Sequence, residues 1–149
     1  MNLRELYNKT ICAAATSKVD AQLAKVSTRL SAFSASLPET LDKHMKKAAA
    51  GRSLTDYDKL MLTLEIELKD INVYEVQAAL EKCPGYQKLV STCQSPGIDM
   101  GFRVWVSEGW KGKETTLVRF SINPEQPFSQ GSLKPHIDQR RSGIGRTIQ

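Results

Sequence analysis

From Asn2 to Ala35 the chain carries neither Gly nor Pro, and its apolar positions recur at helical intervals. Val19, Leu23, Val26, Leu30, Phe33 and Leu37 are separated by 4, 3, 4, 3 and 4 residues, which keeps one seam turned toward a partner helix. The spacing predicts a long helix over 2–35. Leu3, Leu6, Tyr7 and Ile11 lie on a shifted face nearer its start, so this helix is expected to meet more than one neighbour. Positions flanking the seam, such as Asp20, Gln22, Ser27 and Arg29, lack the dense Glu/Lys pairs of a two-stranded zipper. Abundant Ala and Ser suit close packing in a hairpin or bundle instead. The seam therefore has two destinations, the chain's own core or an oligomer interface, and Val19, Leu23, Val26, Leu30, Phe33 and Leu37 are the interface candidates.

Ser36 with Glu39 forms a capping-box pattern around Pro38, which predicts a break and a short second helix over 38–50. Gly51 is its natural stop. A new start at Ser53 or Thr55, three residues before Asp56 or Asp58, opens a region free of Gly and Pro as far as Cys83. Within it Leu60, Leu62, Leu64, Ile66 and Leu68 alternate with Met61, Thr63, Glu65 and Glu67, a strand pattern, while Leu60, Leu64, Leu68 and Ile71 also fit a helix. Helix-forming composition favours a helical region over 55–83; an Asn72/Glu75 cap before a separate helix at 73–83 would favour a strand at 60–69 instead.

After Pro96 and Gly97 the period changes. Phe102, Val104 and Val106 alternate with Arg103, Trp105 and Ser107, and Val118, Phe120 and Ile122 alternate with Leu117, Arg119 and Ser121, predicting a β-hairpin over 101–122. Such a hairpin is marginal alone, so it must lean on helices, gain a third strand or pair with another chain. Residues 123–149 hold three Pro and three Gly without sustained periodicity and are expected to form an extended basic arm, lying on a neighbouring subunit through anchors such as Phe128, Leu133, Ile137, Ile144 and Ile148. The expected whole is α+β: one domain over 1–122, followed by the arm.

Length and composition fit that picture: 149 residues and 16.6 kDa, 40% hydrophobic and 25% charged, suit one modest core. No apolar run reaches transmembrane length, and the first 15 residues lack the layout of a signal peptide. Cys12, Cys83 and Cys93 form an odd set without a C-x-x-C pair, which points to a reducing, cytoplasmic compartment, or a virion for a viral protein. The formal charge of +5 is uneven: residues 1–52 carry +5, 53–95 carry −3, 96–122 carry +1 and 123–149 carry +2. A positive third beside a negative one reads as two elements that attract each other, within one chain or between copies.

Catalytic chemistry finds no foothold in this sequence. Neither His44 nor His136 has a second His or Cys at metal spacing, and the pair His136/Asp138 lies in a Pro/Gly-rich segment, so no metal or cofactor is expected. The turn Gly109 to Glu114 lacks the spacing of a phosphate loop, and no nucleophile elbow occurs. Binding features are stronger. Arg103, Trp105, Trp110, Lys111, Lys113 and Arg119 bring aromatics and cations together on the hairpin, and Lys134, Arg140, Arg141 and Arg146 add cations in the arm. These residues suit a protein partner or phosphates. The expectation is a non-enzymatic interaction or assembly component, associating with itself or with other subunits of a phage, viral or similar multi-subunit complex. The alternative is a small basic nucleic-acid-binding regulator. No membrane partner is expected.

Overall fold

The computed structural model describes residues 2–108 and 114–142. The architecture is α+β. A 47-residue helix α1 (Leu3–Ala49) precedes α2 (Asp56–Met61), strand β1 (Thr63–Leu68), a 3-10 turn (Val73–Glu75), α3 (Val76–Glu81), α4 (Pro84–Gln94), β2 (Ile98–Glu108), β3 (Glu114–Pro127), a second 3-10 turn (Gln130–Leu133) and β4 (His136–Ser142). The four strands form one sheet in the order β1-β3-β2-β4, antiparallel except for the parallel β2/β4 pair.

Three features differ from what the local pattern predicts. The helices expected at 2–35 and 38–50 are one, with Pro38 inside α1. Proline removes the amide that would bond to the Ser34 carbonyl. Hydroxyl donors bracket the gap, from Ser34 to the Leu30 carbonyl (2.9 Å), Ser36 to that of Phe33 (2.8 Å) and Thr40 to that of Ser36 (3.0 Å). Buried Leu37 and partly buried Leu41 anchor the helix to the core on both sides of the proline. The helix then ends where Gly51 takes a left-handed conformation (φ 72°).

The helical region expected over 55–83 is helical only at its ends, and Thr63–Leu68 is a strand. Both capping boxes form, Thr55 with Asp58 and Asn72 with Glu75. Between them the alternation decides: Ile66 and Leu68 enter the core while Glu65 and Glu67 face out, and six residues pair in register with β3, from Thr63 opposite Ser121 to Leu68 opposite Thr116. Sheet pairing and burial outweigh the helical preference of Leu, Glu and Lys, whose intrinsic advantage is a few tenths of a kcal/mol per residue. This is the third strand that the hairpin lacked.

The arm expected to leave the body is built into it as far as residue 142. Asn123–Pro127 continue β3, and β4 lies beside β2 with Arg103 opposite His136, Val104 opposite Ile137 and Trp105 opposite Asp138. Phe128, Leu133 and Ile137 are the anchors, packed against the chain's own core rather than a neighbour. Ser132 donates to Asp99 (2.6 Å), and the Phe128 amide donates to the Gly97 carbonyl (3.1 Å). Ile144, Arg146 and Ile148 lie outside the described residues.

The core fills the space between one sheet face and a layer made by α1 and α4. Phe102 and Phe120 meet with ring centroids 4.8 Å apart, and Tyr86 of α4 contacts each at 6.1 Å. Burial, reinforced by the charge of Glu81, pushes the Tyr86 hydroxyl up to about 12. Helix α4 reaches α1 through Gly85, whose amide donates to the Ser27 hydroxyl (2.8 Å); a Cβ there would overlap the Ser27 carbonyl. Helix α1 also covers the outer edge of β1. The Gln22 amide exchanges two hydrogen bonds with the Lys69 backbone (2.8 and 2.9 Å), and Arg29 donates to the Glu65 carbonyl (3.1 Å). An edge that would otherwise template strand addition is thereby closed.

Candidate interaction surface

The seam proposed as an oligomer interface belongs to the core. Val26, Leu30 and Leu37 are buried within the chain, and Val19, Leu23 and Phe33 pack against the same cluster partly buried. What apolar surface the seam leaves open is at Val19, Leu23 and Phe33, which are partly buried. Its strict 3/4 spacing is what any helix laid along a core displays.

Besides Met45, Tyr57, Leu60, Met61 and Tyr74, the exposed large apolar side chains lie on the preceding turns of the same helix. Leu3 is 84% exposed, Leu6 51%, Tyr7 67% and Ile11 51%. At 100° per residue these side chains centre roughly 140° around the helix from the seam. Among the described residues Val19 is the first to pack against the core. Asn2 caps the helix, accepting from the Glu5 amide at 2.8 Å.

Beside it opens a groove of about 940 Å³. One wall is α1, with Ile11, Lys18 and Val19; the other is the turn after β1 and α3, with Asp70, Ile71, Tyr74, Glu75, Ala78 and Ala79. Ile11, Val19, Ile71, Ala78 and Ala79 give the lining its apolar part. Asp70 and Glu75 add two carboxylates to the lining, and Lys18 and Lys82 add two ammonium groups. Asp70 holds φ 61° to turn the chain out of β1, a conformation that Asp tolerates better than most residues.

The hairpin candidates divide. Arg103, Trp105 and Arg119 come together on the sheet face opposite the core. Arg119 stacks on Trp105, with its guanidinium carbon 5.0 Å from the ring centroid. Arg103 and Arg119 sit directly opposite each other on β2 and β3, a like-charge pairing that would be unfavourable alone. A carboxylate from each outer strand relieves it: Glu65 accepts from Arg119 at 2.8 and 3.1 Å, and Asp138 lies 3.6 Å from Arg103. Lys134 is exposed beyond the second 3-10 turn, away from this pair in sequence, and Arg140 and Arg141 fall on β4. Trp110, Lys111, Lys113 and Arg146 lie outside the described residues.

Titratable groups elsewhere serve structure. Lys47 holds Asp58 with two contacts of 2.7 Å, and with the Thr55 amide keeps that carboxylate down at about 2. Burial raises the thiols of Cys83 and Cys93, the latter up to about 11 with help from Asp99. His44 lines a cavity of about 100 Å³ with Tyr57 and Asp58, and its buried Nδ1 has no hydrogen-bond partner among the described residues. No helix among the described residues is long and apolar enough to cross a membrane.

No protein-family model, curated protein or solved structure matches this chain. The surface thus has to be read from its own chemistry. Its helical half was legible as the shifted face of Leu3, Leu6, Tyr7 and Ile11. Its other half, Asp70 to Ala79, carries no local signal, because the wall exists only once β1 and α3 fold back against α1.

Proposed function

We propose that this protein is a non-enzymatic interaction component of a multi-subunit assembly, with the leading turns of α1 and the groove beside them as its docking surface. The observation that carries this reading is the stripe of Leu3, Leu6, Tyr7 and Ile11, each more than half exposed at the start of a helix whose later seam from Val19 to Leu37 is buried or partly buried against the core. Four such side chains hold on the order of 400 Å² of contiguous apolar surface, the range in which the largest patch on a soluble protein is often its interaction site. Helix-in-groove recognition uses i, i+3, i+4 and i+7 anchors, and Leu3, Leu6, Tyr7 and Ile11 stand at comparable separations of 3, 4 and 8 from the first. A cytoplasmic setting accords with the free, buried thiols of Cys83 and Cys93.

A nucleic-acid-binding regulator is the competing proposal, resting on the net charge and on the Arg119–Trp105 stack. The carboxylates of Glu65 and Asp138 already engage Arg119 and Arg103, so this sheet face offers phosphates little free positive charge. Replacing Tyr7 with a photo-crosslinking phenylalanine derivative in the producing cells tests the reading, with Tyr57, equally exposed on α2, as control. Protein adducts at position 7 and not at 57 are expected. Equal adducts at both positions, or nucleic acid as the captured species, would contradict it.

A further inference from the structure

We infer that a second cleft, between the end of α1, α2 and the later half of β3, binds a small molecule carrying a phosphate group. Its volume of about 660 Å³ lies within the range of small-ligand sites. His44, on its wall, stands roughly 50 Å along α1 from Ile11, so the cleft is separate from the docking surface at the leading turns. Local signals build it. Gly51 takes φ 72°, and the Gly51 and Arg52 amides return to the Ala48 and Lys47 carbonyls (3.0 and 2.9 Å), which fixes where Arg52 leaves the helix. On the strand side the Ile122 amide donates to the Leu62 carbonyl (2.8 Å), and β1 pairs with β3 no further than Thr63 opposite Ser121. Pro124, two residues on, has no amide with which to continue that ladder, so β3 runs past the end of β1 and leaves a gap between itself and α2.

The lining selects an anion. Arg52 and Lys59 bring two cations from different elements, against Glu125 as the carboxylate among the described lining residues. The groove beside the leading turns differs, because there two carboxylates balance two ammonium groups. Nearby cations on α1 already have partners: Lys43 pairs with Glu39 (3.5 Å), Lys46 with Asp42 (2.9 Å) and Lys47 with Asp58 (2.7 Å). Arg52 and Lys59 have no ion-pair partner among the described residues. Neutral donors join them. The Asn123 side-chain oxygen accepts from the Glu125 amide (3.1 Å), which leaves its NH2 group to donate elsewhere, and the hydroxyls of Ser53 and Ser121 line the same space. A guanidinium, an ammonium, an amide and two hydroxyls offer more donors than the two oxygens of a carboxylate can accept, and suit the three terminal oxygens of a phosphate monoester. The space exceeds that of a phosphate alone. Leu54, Leu62 and Pro124 give the lining an apolar part for the organic remainder.

Nuclear magnetic resonance titration of the isotope-labelled full chain with phenyl phosphate, at constant ionic strength, tests the inference, with benzoate as the carboxylate counterpart. Saturable shifts are expected in the amides of residues 52–54, 59–63 and 121–125, with a dissociation constant below about 10 mM and weaker binding of benzoate. Arg52→Ala should weaken phenyl phosphate about tenfold and Lys59→Ala about fivefold. Glu125→Gln, which removes the opposing carboxylate, should tighten it about twofold. Lys88→Ala, at an exposed lysine on α4, should leave it unchanged. Arg52, Lys59 and Glu125 are all exposed, so the urea midpoints of their variants are expected to match that of the parent. Shifts that never saturate overturn the inference, as does saturable binding indifferent to Arg52→Ala, Lys59→Ala and Glu125→Gln. Benzoate binding as tightly as phenyl phosphate overturns it too, since the site would then take any aryl anion.

Discussion

Helix α1 contains two apolar stripes with opposite fates. The later one, from Val19 to Leu37, lies against the sheet and α4; the earlier one, from Leu3 to Ile11, stands roughly 140° around the helix and meets water. Both are built of large side chains at helical spacing within one unbroken element. The difference shows that periodicity identifies an apolar face without saying what covers it. What settles the matter is where the rest of the chain lies: β1 and α4 sit alongside α1 and its later stripe packs into the core, whereas among the described residues the turn after β1 and α3 line the groove beside the earlier one.

That contrast can be broken by truncating one side chain from each stripe. Leu30→Ala empties a fully buried site and should lower stability by about 2–5 kcal/mol, whereas Leu3→Ala should stay within about 0.5 kcal/mol in dilute, monomeric protein. Urea unfolding midpoints measure both. Equal losses would mean that the leading turns are held by the body after all.

The covered stripe depends on how closely α4 approaches α1. Gly85→Ala forces a methyl group into the Ser27 carbonyl and disturbs the hydrogen bond from the Gly85 amide, so a loss of about 2–3 kcal/mol is expected. Amide exchange should quicken in α4 and in α1 around Ser27 while residues 3–11 keep their rates. An equal response along all of α1 would show that its two parts unfold as one unit.

The smallest effect concerns the far end of the same helix, where Lys47 clamps α2 through Asp58. Asp58 titrates near 2 in the fold, below its ordinary 3.8, so its contribution is present above about pH 4 and is lost as pH falls from 4 toward 2. Asp58→Asn should flatten the acid dependence of stability in that window. The amides of α2 should respond there and those of residues 3–11 should not.

Much of the fold was written locally. The caps at Thr55 and Asn72, the stop at Gly51 and the alternation in β2 and β3 are each encoded within a few residues and all form, the Asn72 cap being the one that belonged to the strand alternative rather than to the favoured helix over 55–83. The candidate surface was half legible. A shifted apolar face near the start could be seen in Leu3, Leu6, Tyr7 and Ile11, but Asp70, Tyr74 and Glu75 carry no mark of the groove that they line.

By itself, then, the sequence determined the α+β class, the helical character of the first 49 residues, two alternating strands and an apolar face on the leading turns. Tertiary structure decided that residues 63–68 are a strand, that α1 runs through Pro38, that the segment to residue 142 stays with its own sheet, and which stripe is covered. The physical reason is the range of the interactions. Caps and turns act over three or four residues, whereas Thr116 bonds the Ile71 carbonyl, Gly85 bonds Ser27 and Gln22 bonds Lys69 across separations of 45, 58 and 47. Contacts of that span exist only after the chain has folded, and they outweigh local preferences worth a few tenths of a kcal/mol each.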